Sequence, residues 1–245
     1  MSGNHRSRLA GVVTLLIAAA LIAVMARFLF TSTFQVKNII VEGNTEKSVS
    51  EIAAIAGVDY GDPIFSVDEN DMWEKLAASG ALEVTDVRRE LPDTLYIAVN
   101  DRKERALALI GGRVAVIDSD GYVTRLVNYE PITPSLYVSG TGATKAEKGS
   151  LLNAKSDRLE AMRAVLEGLY ARNAQDRIKD INVSDVSAIF LTTSNGMRVE
   201  FGDAQNADTK IALMIASLND LETRGSYHGT LDVSNSEKAY YTPGV

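Results

Sequence analysis

Apolar and polar positions along this chain fall into three patterns: one long uninterrupted run, stretches of alternation, and stripes at helical spacing. The run comes first. Eighteen uncharged residues separate Arg8 from Arg27, LAGVVTLLIAAALIAVMA, and Phe28-Leu29-Phe30 prolong it. At about 1.5 Å of rise per residue, Leu9–Phe30 covers the roughly 30 Å hydrocarbon core of a bilayer as one helix. Beyond Phe34, charged residues recur every few positions, so this is the only membrane span the pattern predicts.

Strand-like and helix-like stretches then succeed one another. Val36–Gly43, with Val36, Ile39 and Val41 among its apolar positions, predicts a strand closed by a Gly43-Asn44 turn. Ser48 or Ser50 caps a short helix that carries Ile52, Ala53, Ile55 and Ala56 and stops at Gly57. The loop VDYGDPIFSV is broken by Gly61 and Pro63. Asp68 opens a second helix, with Met72, Trp73, Leu76 and Ala77 on one stripe and Gly80 at its end. Strands at Leu82–Glu90 and Thr94–Asp101 follow, joined through Leu91-Pro92-Asp93, where Pro-Asp suits a tight turn. The order β-α-α-β-β leaves one sheet face for two helices to cover.

A boundary near Arg105–Gly111 introduces a second region. Arg113–Ile117, the turn Asp118-Ser119-Asp120-Gly121 and Tyr122–Val127 predict a hairpin. A looser stretch, Asn128–Asn153, includes a short strand near Ser135–Ser139. Asp157 caps an amphipathic helix with Leu159, Met162, Val165, Leu166, Leu169 and Tyr170 in helical register. Strands near Ile178–Val183, Ala188–Thr193 and Met197–Phe201 follow, the last two joined at Ser194-Asn195-Gly196. A helix over Asp208–Glu222 turns Ile211, Met214, Ile215, Leu218 and Leu221 inward, and strands near Gly229–Val233 and Lys238–Thr242 finish the pattern. The expected class is α+β, with mainly antiparallel pairing and two amphipathic helices in the second region. The expected segments are 1–8 (head), 9–30 (transmembrane helix), 34–105 and 106–245.

Charge orients the span. The head MSGNHRSR carries Arg6 and Arg8 and no acidic residue, so the positive-inside tendency holds it in the cytoplasm and exports the bulk. A cleaved signal peptide is the competing reading, because Val24-Met25-Ala26 has small residues where a signal peptidase needs them. The apolar run exceeds the usual 7–15-residue signal core and continues past that cut, which favours a retained anchor. Three of the 25 basic residues precede Phe28, leaving 22 against 32 acidic residues beyond it. That balance argues against a nucleic-acid surface and against an anionic-headgroup surface. There is no cysteine, so disulfides, thiolate catalysis and cysteine-ligated metals are excluded.

Catalytic material is scarce. The histidines are His5, in the head, and His228, in a Gly/Ser-flanked turn, and no nucleophile elbow accompanies them. Asp118-Ser119-Asp120-Gly121 begins like a calcium loop, but Tyr129 stands where the twelfth-position glutamate belongs, and Asp-Gly between β-patterned runs reads as a turn. Glu69 and Asp71 read as first-turn acids that meet the helix dipole rather than as an acid–base pair. Asn182-Val183-Ser184 is a glycosylation sequon without meaning in a bacterium, and Gly111-Gly112 is a turn. No catalytic residue, cofactor or metal is expected.

The last strand is a better candidate. In Lys238-Ala239-Tyr240-Tyr241-Thr242 two consecutive tyrosines place one ring away from whichever face is buried, which suits strand addition at an edge. The alternative is that the outward tyrosine packs on a neighbouring loop.

Three stretches carry a resemblance to a known family. FQVKNIIVEGN, the loop GDPIF before a helix and VRRELPDTLYIAVNDRKERA at 87–106 resemble a POTRA domain, and the whole arrangement resembles the bacterial cell-division FtsQ/DivIB family. VAVIDSDGYVTRL resembles that family's opening hairpin in the second domain, and GTLDVSN followed by AYYTP its closing strands. Asn100-Asp101-Arg102 departs from a more usual Glu-Arg pair. The resemblance implies a non-enzymatic, single-pass scaffold of the division machinery at the septum of the inner membrane. Its closing strands would bind two small bitopic partners, FtsB-like and FtsL-like, and synthase components are further expected partners in regulating septal peptidoglycan synthesis. The positions this implies are Ser234, Asn235, Lys238, Tyr240 and Tyr241. Ser234 stands where an arginine is common, which puts any charge pair there in doubt. A POTRA-type chaperone or translocation module that binds extended strands is the alternative, and a hydrolase released after Ala26 a weaker third.

Overall fold

The computed structural model describes residues 13–24, 27, 32–127, 136–225 and 228–244. Residues 13–24 form helix α1, on which Leu15, Leu16, Leu21, Ile22 and Val24 are all exposed. The rest of the predicted span 9–30, Arg27 apart, lies outside the described residues, as does the head. Among the described residues no helix is long and apolar enough to cross a membrane. The chain is α+β from Phe34 onward, and its contacts divide it into two compact units, residues 1–76 with 82–101 and residues 77–81 with 102–245.

The first unit runs β1 (Asn38–Glu42), α2 (Val49–Ala56), α3 (Glu69–Ala78), β2 (Leu82–Glu90) and β3 (Thr94–Asp101). Its sheet order is β1-β3-β2, with β1 parallel and β2 antiparallel to β3. Ser48, not Ser50, is the α2 cap. Its hydroxyl accepts from the Glu51 N–H at 3.3 Å while Glu51 Oε2 accepts from the Ser48 N–H at 2.8 Å, a reciprocal box that draws the Glu51 carboxyl below its ordinary range, chiefly through the Ser48 side-chain bond. Gly57 ends the helix at φ 71°, in the left-handed region that side chains avoid. Asp68 starts α3 as expected, its Oδ1 accepting from the N–H groups of Asn70 and Asp71. Met72 and Leu76 are buried, but Trp73 is 40 % exposed, one position off the stripe that faces the sheet. Ile52, Ile64, Leu95, Ile97 and Val99 complete the buried layer.

The second unit is a nine-stranded sheet. Its strands are β4 (Ala106–Ile110), β5 (Arg113–Ile117), β6 (Val123–Val127), β7 (Tyr137–Ser139), β8 (Ile178–Asn182), β9 (Ile189–Thr193), β10 (Arg198–Gly202), β11 (Gly229–Asp232) and β12 (Tyr240–Pro243), in the order β12-β11-β10-β9-β8-β7-β4-β5-β6. Helices α4 (Ser156–Ala171) and α5 (Ala207–Thr223) bury Met162, Val165, Leu166, Ile211, Met214 and Leu218 in the same core as the inward residues of the strands.

The structure adds detail to the sequence reading at three places. Ala106–Ile110, to which the sequence pattern assigns no element, is a strand: all its residues but Leu109 are buried, and it pairs with β5 and β7. Pairing is antiparallel at most interfaces, as expected, but β7–β8 and β10–β11 are parallel because α4 and α5 carry the chain across the sheet before β8 and β11, and β4–β7 is parallel as well. Asp157 lies inside the first turn of α4, and the capping position is Lys155, with no side-chain bond.

Residues 102–105 are fastened to the second unit. Arg102 Nη1 donates to Asp118 Oδ2 at 2.5 Å and its guanidinium stacks on Tyr122 at 3.9 Å. Arg125 Nε and Nη2 donate to the two Glu104 oxygens, and Arg105 sits 4.0 Å over the Tyr170 ring while its carbonyl accepts the Tyr170 hydroxyl at 2.6 Å. Asp118 also accepts from the N–H groups of Asp120 and Tyr122, so its carboxylate serves the turn and this anchor.

Candidate partner-binding edge

The site is built on the outermost strand of the nine-stranded sheet. β12 pairs with β11 on one side, Tyr240 opposite Asp232, Tyr241 opposite Leu231 and Thr242 opposite Thr230, and no described strand lies on its other side. The Gly244 N–H donates to the His228 carbonyl at 3.3 Å, which carries the ladder past the Gly229–Pro243 pair. Bonded and non-bonded pairs alternate in an antiparallel ladder. Thr242 and Tyr240 therefore turn their main-chain groups to β11, and Tyr241 turns its N–H and C=O outward. Pro243 faces outward too, where its missing N–H costs no ladder bond.

Side chains alternate cleanly along this edge. Ala239 and Tyr241 pack against the core, and Lys238, Tyr240 and Thr242 are exposed. The Tyr241 hydroxyl donates to the His228 carbonyl at 2.5 Å, tying the strand to the segment before β11. Tyr240 is 54 % exposed, with Lys238 Nζ 4.9 Å from its ring centre. The two tyrosines thus divide into a structural and an outward one, and the outward ring does not pack away on a loop.

Ser234 and Asn235 are exposed in the connection between β11 and β12. Asp232 Oδ1 accepts from the Ser234 N–H and Asn235 Oδ1 from the Glu237 N–H, each at 2.8 Å, which shapes the turn. Gly202 ends β10 at φ 72°, and a Cβ there would fall 2.9 Å from Ser234 Cβ, so the close approach of Ser234 needs glycine. Ser234 lines a cleft of about 230 Å³ with Phe190, Arg198 and Glu200. Ser234 and Asn235 lie on the loop, Lys238, Tyr240 and Tyr241 on the edge: five predicted residues on one β11–β12 corner.

Four further residues share the open sheet face with Tyr240. The register runs Tyr240–Asp232–Glu200–Phe190 across four strands. Arg198 stacks 3.8 Å over Phe190 and stands 3.7 Å from Glu200. The signal in the sequence was the alternation Arg198-Val199-Glu200-Phe201, whose polar half faces solvent once Val199 and Phe201 are buried.

A β-α-α-β-β unit followed by a nine-stranded sheet with an open final edge defines a POTRA-bearing protein with an appended β domain. Residues 34–102 match the POTRA domain of FtsQ type, and residues 106–234 match the C-terminal domain of cell division protein FtsQ/DivIB. The chain belongs to the FtsQ/DivIB family of bacterial cell-division proteins. It is 26 % identical over 197 residues to the cell division protein FtsQ of Rickettsia prowazekii, covering 80 % of this chain and 72 % of that one. It is 31 % identical over 162 residues to that of Caulobacter vibrioides, covering 64 % and 52 %, and 25 % identical over 206 residues to that of Corynebacterium glutamicum, covering 83 % and 86 %. The matched C-terminal domain stops at Ser234, so β12 lies beyond it.

Proposed function

We propose that this chain is a non-enzymatic, membrane-anchored scaffold of the division septum that captures FtsB-like and FtsL-like bitopic partners by strand addition on β12. The observation that carries the reading is the outward edge of β12, where the Tyr241 main chain is open and Lys238, Tyr240 and Thr242 alternate outward. An added strand gains main-chain bonds from Tyr241, while Tyr240 and the Asp232–Glu200 pair supply selectivity for aromatic and basic side chains. Anchoring through Leu9–Phe30 is supported by α1, whose apolar residues stand exposed all round, a pattern suited to lipid. The N-terminus lies in the cytoplasm, the two units lie outside it, and partner capture there regulates septal peptidoglycan synthesis.

The experiment is co-purification of the FtsB-like and FtsL-like partners with Tyr240→Asp, alongside imaging of a fluorescent fusion in dividing cells. Loss of capture by a folded variant, with midcell localisation of the unaltered protein, is the expected result. Undiminished capture removes the edge assignment. Equal binding of many unrelated extended peptides would replace the scaffold with a strand-binding chaperone.

A further inference from the structure

The first unit carries a cluster of exposed apolar side chains that the capture edge does not use, gathered at the end where β1 begins. Gln35 bridges to Pro63, the Val36 N–H donates to the Asp62 carbonyl and the Gly61 N–H to the Val36 carbonyl, both at 2.8 Å, so the 59–66 loop is stitched to residues 34–36. Ile64 is fully buried beneath it, and the Ser66 hydroxyl donates to the Pro63 carbonyl at 2.7 Å. This rigid loop holds Tyr60, 60 % exposed, and Phe65, 42 % exposed, outward, with the Phe65 ring 5.3 Å from that of Phe34. β1 is parallel to β3, Asn38 opposite Thr94, so the β2–β3 turn lies at the same end and adds Leu91, 60 % exposed.

We propose that this rim, Phe34, Tyr60, Phe65 and Leu91, seats in the headgroup region of a zwitterionic lipid surface. The occupant follows from chain length. Thr31, Ser32 and Thr33 alone separate Phe34 from the end of the apolar run at Phe30, and four residue steps span at most about 14 Å. The headgroup region is roughly 5–8 Å thick on each side of the core. An anchored helix therefore delivers this end of the unit to the interface, where amphipathic aromatic rings concentrate. Charge selects among lipids: Asp59 and Asp62 flank Tyr60 in the chain, Glu90 and Asp93 flank Leu91, and the neighbouring cations Lys37, Arg88 and Arg89 are paired with Asp93, with Asp86 and Glu90, and with Glu69. An anionic headgroup would meet repulsion. The inference rests on the anchored reading above, and its consequence is that the POTRA unit has a fixed lower end while the rest of its surface stays free for proteins.

The test uses the full chain reconstituted in phosphatidylcholine vesicles, plain or brominated along the acyl chains. Trp73→Phe removes the chain's single tryptophan, and Phe65→Trp or Tyr60→Trp then reports on each exposed position with little change of shape. The expected result is blue-shifted indole emission in both variants and loss of about half of it with brominated lipid. Solvent-like, unquenched emission from chains that float with the vesicles after alkaline carbonate extraction overturns the proposal and leaves the anchor standing. Blue-shifted but unquenched emission means that protein, such as a second copy, covers the rim, which also overturns it. Chains that no longer float defeat the anchored reading and this proposal with it.

Discussion

β2 closes the three-stranded sheet of the first unit and β12 closes the nine-stranded sheet of the second, and their residues treat the open side differently. β2 carries a bulge between Val84 and Asp86, and its charges satisfy one another: Arg88 pairs with Asp86 and, at 2.9 Å, with Glu90, while its guanidinium lies 3.6 Å over Tyr96. A bulge and charges along an outer strand are the usual protection against unwanted pairing. β12 has no bulge, no ion pair among its four residues, and an exposed tyrosine at its start. The same position in a sheet is blunted in one unit by a bulge and paired charges, and in the other only by Pro243 at the strand's end, which leaves the Tyr241 main chain receptive.

The strongest way to break this contrast is to loosen the support of the receptive edge. Leu231 is 1 % exposed and directly opposite Tyr241. Leu231→Ala removes a buried side chain and leaves a cavity, an expected loss of about 2–5 kcal/mol in urea unfolding. Because β12 hangs on β11, capture falls with it. Next in size is the edge itself. Tyr240→Asp lowers partner affinity by more than about tenfold, as loss of an aromatic anchor does, with a melting temperature close to that of the unaltered protein. Arg88→Asp on the protected edge leaves capture unchanged in the same titration.

Tyr241→Phe sharpens the division between the two tyrosines. It deletes the hydroxyl that reaches the His228 carbonyl and keeps the ring, so stability falls by about 0.5–1.5 kcal/mol while calorimetric affinity for the partner holds within a factor of a few. The smallest effect concerns the buried lysine behind this sheet. Lys210 Nζ donates to Asp203 Oδ1 at 2.8 Å and to the Asp203 carbonyl at 2.9 Å, and that side-chain bond is the main reason the Asp203 carboxyl is held below its ordinary range. A lowered folded value stabilises above the unfolded value of about 3.9 and is lost as pH falls through the folded one. Asp203→Asn should therefore lower the melting temperature most at neutral pH, where the pair contributes fully, and flatten the acid limb below about pH 4, where the two profiles converge.

Much of this architecture is legible along the chain. β2 and β3 have the bounds that alternation predicts, α2 ends at a glycine in the left-handed region, and most of the α4 and α5 stripes are buried, with Leu159, Tyr170 and Ile215 partly so. Misreadings have physical causes. Ala106–Ile110 lacks alternation because all but one of its residues are buried on both faces, so a period of two does not show. Trp73 belongs to the α3 pattern by apolarity but not by angle. The candidate edge was legible as a pair of tyrosines, not as a choice between them.

Local chemistry by itself determined the elements: periodicity says which residues share a face, and caps and glycines say where a segment must stop. It also determined that no thiol chemistry exists and that one long apolar run precedes the folded units. What tertiary structure alone decided is which strand is outermost, that β11 pairs parallel to β10, and hence that Tyr241 faces the core and Tyr240 faces solvent. Phe190, Glu200, Asp232 and Tyr240 are scattered over fifty residues of chain and become one row only when four strands align. Register between distant strands depends on the burial of the whole layer, a sum over contacts that no window of sequence contains.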